Sequence, residues 1–265
     1  MRIKCEHCGQ DYEVDAGYAG QEAVCTECGK TFVIRPDAAH PSSVNAADVD
    51  EGLILGLYRR KGDPIEGGMG RVFRVHHTTW NVDLAIKQPL AELFQTEAQK
   101  QTFINECDAW IDLGLHPHIV SCYYVREIDG VPSIFAEWMD GGSLSHWIRS
   151  EKLYEGDDNE IIKRILDIAI QFAWGLDYAH EQKLIHQDVK PDNVMLTSGG
   201  DVKVADFGIA KAKAGLGLSA SMTSQFLGTM ISKGGFCTEA YCSPEQANGG
   251  ILTRRTDIWS WAVSV

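Results

Sequence analysis

Between Leu184 and Gly208 the chain reads LIHQDVKPDNVMLTSGGDVKVADFG, and its polar residues fall into two groups. His186, Asp188, Lys190, Asp192 and Asn193 crowd into eight residues between the apolar runs Leu184-Ile185 and Val194-Met195-Leu196. A third carboxylate, Asp206, follows a Ser-Gly-Gly turn and the alternating stretch Val202-Lys203-Val204. Packing alone rarely asks for this many charges. Phosphoryl transfer does, because little covalent work is needed there and rate comes from positioning and charge neutralisation. One carboxylate must orient or accept the proton of the attacking hydroxyl. A second carboxylate and an amide oxygen must hold Mg²⁺ against nucleotide phosphates. Asp188, Asp206 and Asn193 supply that set.

His186-Gln187-Asp188-Val189-Lys190-Pro191-Asp192-Asn193 and Asp206-Phe207-Gly208 resemble the catalytic loop and the metal-binding motif of the eukaryotic-type protein kinases. The resemblance implies an α+β, bilobal protein-kinase-like fold over residues 57–265, with a β-rich N-lobe over about 57–139 and a mainly α, incomplete C-lobe over about 140–265. It implies ATP and Mg²⁺ as cofactors and a protein as substrate. Asp188 is then the catalytic base, Lys190 steadies the transferring phosphoryl group, and Asn193 and Asp206 are the magnesium ligands. Lys190, two residues after Asp188, matches the serine/threonine-specific branch. Thr238-Glu239-Ala240-Tyr241-Cys242-Ser243-Pro244-Glu245 resembles the substrate-docking turn, in which Thr238 is expected to touch Asp188 and Lys190.

Elements upstream must position the nucleotide. Glu66-Gly67-Gly68-Met69-Gly70-Arg71-Val72-Phe73 reads as a glycine-rich turn between strands, where backbone N–H groups can approach phosphates closely. Aligned on Gly70 and Val72, Ile65 stands where the family has its first glycine, so a stiffer loop is expected. Lys87, in the strand Leu84-Ala85-Ile86-Lys87, resembles the lysine that meets the α and β phosphates. Its expected partner is Glu106, on a helix over Thr102–Leu113 whose Phe103, Glu106, Trp110 and Leu113 recur at helical spacing. Ile134 to Leu144 resembles the strand and hinge that hold adenine by main-chain hydrogen bonds, at Glu137 and Met139. By that register Ala136 guards the pocket behind the adenine and leaves it open. Val72, Ala85 and Met195 would form the apolar sandwich.

In the C-lobe, Glu160–Glu181 has the apolar period of a long amphipathic helix that carries the catalytic loop. Gln187 departs from the family, which most often has an arginine there to clamp a phosphorylated activation segment. Activity is therefore expected to depend little on phosphorylation of Ser219, Ser221, Thr223, Ser224, Thr229 or Ser232. Asp257-Ile258-Trp259-Ser260-Trp261-Ala262-Val263 resembles the buried helix that anchors the catalytic loop through its aspartate. The chain stops at Val265, which leaves Glu245 without the family's arginine partner. Ile258, Trp261 and Val265 are expected to need cover from a further segment or a partner.

Ahead of this domain, Cys5-x-x-Cys8-Gly9 and Cys25-x-x-Cys28-Gly29 are two copies of one knuckle separated by sixteen residues. Four thiolates at that spacing point to a structural Zn²⁺ in a zinc ribbon over residues 1–35, with strands at Ile3-Lys4, Tyr12-Glu13-Val14 and Thr31-Phe32-Val33-Ile34. So short a module needs such a staple. Residues 36–56, with two prolines and few large apolar side chains, read as a linker. A net charge of -13 over 265 residues argues against a nucleic-acid or anionic-membrane surface. No run approaches a membrane span, and a cytoplasmic location is expected. The alternative function is a catalytically impaired kinase-like scaffold that binds nucleotide and zinc.

Overall fold

Each Cys-x-x-Cys-Gly motif closes a small antiparallel hairpin, as the knuckle geometry requires. The structure is a computed structural model that describes residues 2–5, 7–13, 22–33, 53–67, 70–209, 229–232 and 235–265. Strands β1 (Arg2–Lys4) and β2 (Asp11–Glu13) flank the first motif. Strands β3 (Glu22–Val24) and β4 (Thr31–Val33) flank the second. The β3 strand adds to the three expected; Val14 and Ile34 lie outside the described residues. In both turns the glycine after the second cysteine takes positive φ, and its N–H donates to the carbonyl of the first cysteine. Ile3, Cys5, Cys25 and Phe32 form a small buried cluster.

These hairpins belong to a first compact unit, residues 1–60 with 76–82; residues 61–75 with 83–265 form a second. The first unit also holds the hairpin of β5 (Leu53–Ile54) and β6 (Tyr58–Arg60), so strand structure begins inside the stretch read as linker. Buried Tyr58 lies edge to face with the His77 ring there, and Trp80 stacks on that ring.

The second unit holds the hairpin of β7 (Ile65–Gly67) and β8 (Gly70–His77, of which it takes the residues up to Val75), in which Ile65 sits opposite Val72. Beside β8 runs β9 (Val82–Pro89). Helix α1 (Glu97–Ile111) follows, then β10 (Cys122–Ile128) and β11 (Val131–Glu137), in the sheet order β10-β11-β9-β8. The helix starts five residues earlier than its apolar spacing predicts, because Thr96 and Gln99 form a capping box. Its Phe103, Cys107 and Trp110 are buried, and the Trp110 indole N–H donates to the Val120 carbonyl at 2.8 Å.

The remainder is mainly helical. A short strand β12 (Gly142–Ser143) leads into α2 (Leu144–Arg149) and then α3 (Asp158–Glu181), which a second capping box, Asp157 with Glu160, starts. Strands β13 (Val194–Leu196) and β14 (Val202–Val204) pair with each other, and β13 pairs with β12. Strands β15 (Thr229–Ser232) and β16 (Gly235–Thr238) make a hairpin, followed by α4 (Pro244–Ala247) and α5 (Arg254–Ser264). One core joins α1, α3, β13 and β14. Phe172 of α3 is fully buried in it, and truncating such a side chain to alanine costs about 3–5 kcal/mol. None of the described helices is long and apolar enough to cross a membrane.

Candidate active site and metal centre

The loop between α3 and β13 is held by a single carboxylate. Asp257 of α5, 1% exposed, accepts the N–H of His186 at 2.8 Å, the N–H of Gln187 at 2.9 Å and the His180 ring Nε2 at 2.8 Å. The expected anchoring aspartate is therefore in place. Gln187 has φ of 69°, a left-handed conformation that costs a non-glycine residue about 1 kcal/mol or more, and these bonds sustain it. Its carbonyl accepts from the Gln246 side chain of α4 at 2.7 Å. His186, also 1% exposed, donates Nε2–H to the Ala205 carbonyl at 2.7 Å, which leaves Nδ1 to accept the Asp188 N–H at 3.3 Å.

Asp188 is thereby aimed at a small polar cluster. Its Oδ2 accepts from Lys190 Nζ at 2.9 Å and its Oδ1 from the Thr238 hydroxyl at 2.9 Å, while Lys190 Nζ also donates to Thr238 Oγ1 at 2.7 Å. The three residues predicted to meet do meet. Asn193 Nδ2 donates to the Asp188 carbonyl at 2.8 Å, and with that nitrogen committed Asn193 has Oδ1 to offer a cation.

Asp206 also has φ of 69° and lies two residues after the end of β14. Lys87 Nζ donates to its Oδ2, so the strand lysine is bonded to Asp206. Asp206 is mostly shielded from water, and a carboxylate there needs a cation. Glu106 is half-buried on α1, and its carbonyl lies so close to Gly208 that a Cβ there would come within 2.3 Å of it. This approach and φ of 75° explain the glycine after Phe207. Phe207 is fully buried with its ring 4.6 Å from that of His186.

The nucleotide-binding candidates lie on the sheet above these residues and on β13. Ala85 and Lys87 pair with Ala136 and Ile134, so all four point to one face. Val72, Ala85 and Met195 are each half-buried, as plates for a planar ring should be, and Ala136 is buried. Gly70 has no room for a side chain, since a Cβ would come within 2.1 Å of the Gln88 carbonyl. Gly67 closes β7; Gly68 and Met69 lie outside the described residues, and Ile65 is 60% exposed. At the end of β11 the Glu137 N–H donates to the Ser121 carbonyl at 2.9 Å, and the Met139 side chain is buried in the core.

One expectation at the C-terminal end is corrected. Trp261 is covered: it packs against the core and donates its indole N–H to the Ala169 carbonyl at 3.2 Å. The exposed apolar side chains of α5 and the last residue are Ile258, Trp259, Val263 and Val265. Glu245 has a partner in the Thr256 hydroxyl at 2.8 Å, and that bond holds its carboxyl below the usual glutamate range. Ser219, Ser221, Thr223 and Ser224 lie outside the described residues. Lys203, His180 and Gln246 contribute contacts that sequence reasoning did not single out.

The second candidate site is the cysteine cluster. The Sγ atoms of Cys5, Cys8, Cys25 and Cys28 all lie within 4.8 Å of one another, with Cys5 to Cys28 at 3.7 Å and Cys8 to Cys25 at 3.5 Å. Tetrahedral Zn–S bonds of about 2.3 Å put sulfurs roughly 3.8 Å apart, so the donor set and its spacing fit Zn²⁺. The Tyr12 hydroxyl lies 3.0 Å from Cys25 Sγ and 3.1 Å from Thr26 Oγ1, and accepts the Thr26 N–H at 3.0 Å. Chiefly through the Tyr12 contact the Cys25 thiol is lowered to about 6.

Comparison with known proteins agrees with this geometry. The profile of the family described as the protein kinase domain matches residues 64–265. A probable serine/threonine-protein kinase of Streptomyces coelicolor, SCO3848, is 34% identical over 198 residues, covering 73% of this chain and 27% of its own. The serine/threonine-protein kinase PknB of Mycobacterium tuberculosis is 31% identical over 207 residues, covering 73% and 29%. The chain thus spans under a third of the length of these relatives. Among solved structures, the kinase domain of M. tuberculosis PknI superposes with a TM-score of 0.57 at 25% identity, over 80% of this chain and 71% of that one.

Proposed function

Because this chain belongs to the protein kinase family, we propose that it transfers the γ-phosphoryl group of ATP to serine or threonine hydroxyls of proteins, in a signalling role. The observation that carries this reading is the Asp188 carboxylate, shared between Lys190 and Thr238 and braced from below by Asp257. A substrate hydroxyl entering beside Thr238 would lose its proton to Asp188. Lys190, which already faces Asp188, would neutralise charge on the group in flight. Lys87 would hold the α and β phosphates, and Asp206 and Asn193 Oδ1 would hold Mg²⁺. When bound, Mg²⁺ supplies charge neutralisation between the phosphates. Glu137 and Met139 would meet adenine through their main chains, between the plates Val72, Ala85 and Met195. The intact set of Lys87, Asp188, Asn193 and Asp206 weighs against a purely scaffolding role.

The four thiolates of Cys5, Cys8, Cys25 and Cys28 would hold a structural Zn²⁺ with no open coordination position. Metal-binding thiolates suit a reducing compartment, and the cytoplasm is the proposed location. The exposed Ile258, Trp259 and Val263 are proposed to be covered by a further segment or a partner.

The test is transfer of labelled phosphate from ATP to a generic protein substrate, with Asp188→Asn as control. Transfer by the parent protein and a loss of roughly a thousandfold in the variant are expected. Equal transfer by both would defeat the reading.

A further inference from the structure

The phosphoryl-transfer set leaves one shielded ion pair without a role. Lys203 Nζ, in the middle of β14, lies 2.6 Å from Glu137 Oε1 at the end of β11. Their side chains are 16% and 25% exposed. The other carboxylate oxygen of Glu137 accepts the Ser121 N–H at 3.2 Å, and the Glu137 N–H returns a bond to the Ser121 carbonyl at 2.9 Å. Glu137 is thus fixed through both its side chain and its main chain.

Lys203 occupies an informative position. It is three residues before Asp206 and sits directly across the β13–β14 ladder from Met195, one of the expected plates for adenine. Its own strand is tied to the segment before β10, since the Val120 N–H donates to the Val204 carbonyl and the Val204 N–H donates to the His118 carbonyl, each at 2.9 Å. Ser121 follows Val120 and bonds Glu137. The connection from β14 through Val120 and Ser121 to Glu137 is therefore closed into a ring by Lys203.

We propose that Lys203 and Glu137 form a brace that sets the adenine-binding end of β11 against the strand delivering Asp206, which makes Lys203 a positioning residue for nucleotide. The proposal rests on the phosphotransfer reading. A nucleotide is gripped at its base by one end of this ring and at its phosphates by the other, and small errors in that separation cost binding and rate. Removing either partner leaves a shielded charge uncompensated, so each single variant should disturb the ring more than removal of both.

The experiment compares Lys203→Met, Glu137→Gln, the double variant and Lys203→Arg in the full chain. It measures KM for ATP, kcat, and the shift in melting temperature caused by MgADP. Each single substitution is expected to raise KM for ATP by roughly tenfold with kcat changed by less than about twofold, and to shrink the MgADP shift. The double variant should be no worse than either single one, and Lys203→Arg should keep most of the parent affinity. Additive single effects, or a lower melting temperature with KM and the MgADP shift unchanged, would overturn the brace. Should the parent protein show neither phosphate transfer nor an MgADP shift, the phosphotransfer reading falls and the brace with it. A parent that transfers phosphate with all variants alike sinks the brace alone.

Discussion

Asp257 and His186 are joined side chain to backbone at 2.8 Å, although 71 residues separate them. The same carboxylate takes the next N–H, from Gln187, and the ring of His180. It therefore acts as the keystone on which the direction of Asp188 depends. Asp257→Asn replaces one acceptor oxygen with an N–H donor facing other donors. The expected outcome is a loss of about a hundredfold in phosphate transfer and roughly 3 kcal/mol in stability by urea denaturation. Full activity in this variant would show that the loop is held by something else.

Gln187 spends its N–H on Asp257 and its carbonyl on Gln246, and its neutral side chain cannot clamp a phosphate as a guanidinium does. Activity is expected to survive phosphatase treatment, and Thr229→Ala is expected to retain it. Loss of transfer after dephosphorylation, reproduced by Thr229→Ala, is the contrary result.

Ala136 is buried directly across from Ala85, on the face shared with Lys87. Ala136→Met would fill the space beside that pair. Inhibitors with bulky groups reaching behind adenine are expected to lose at least about tenfold in potency, while small adenine mimics lose little. Dose–response curves for one inhibitor of each kind decide the matter.

Tyr12 is expected to support the zinc site by its hydroxyl and not by its ring alone, because the O–H meets Cys25 Sγ while the ring stacks with Phe32 at 6.0 Å between centroids. Tyr12→Phe keeps the ring. It should release zinc to a chelator about tenfold faster and, with cobalt in place of zinc, shift the thiolate charge-transfer band to lower energy. An unmoved band would leave the hydroxyl without a part.

Glu245 brings a pH dependence with a defined sign. The Thr256 hydroxyl, helped by Glu245's own backbone N–H and less by Ser243 and the charge of Arg255, depresses its folded-state pKa. A carboxylate depressed on folding adds stability that is fully present above the unfolded value of about 4.3 and is lost as pH falls through the folded value. Thr256→Val should cost up to about 1 kcal/mol at pH 7, and part of that difference should vanish by about pH 3. Urea denaturation at the two pH values checks this; a gap that widens on acidification would reverse the assignment.

Much of this protein is legible along the chain because its chemistry is local. His186 to Asn193 and Asp206 to Gly208 hold their proposed roles within a few residues, and the spacing of Cys5, Cys8, Cys25 and Cys28 points to the four-sulfur cluster that the structure brings together. Helix starts were also readable in principle, since Thr96-x-x-Gln99 and Asp157-x-x-Glu160 are capping boxes that apolar periodicity overlooks. Choices among several chemically equivalent partners were not readable. The bond of Lys87 to Asp206 spans 119 residues and depends on the left-handed turn that delivers Asp206. Trp261 looked uncovered because its cover, the Ala169 carbonyl, lies 92 residues away. Lys203 is an unremarkable strand lysine until the sheets bring Glu137 to it across 66 residues. Residue type and short spacing determine which groups can react, whereas the pairing of shielded charges depends on long-range packing, which a linear pattern does not encode.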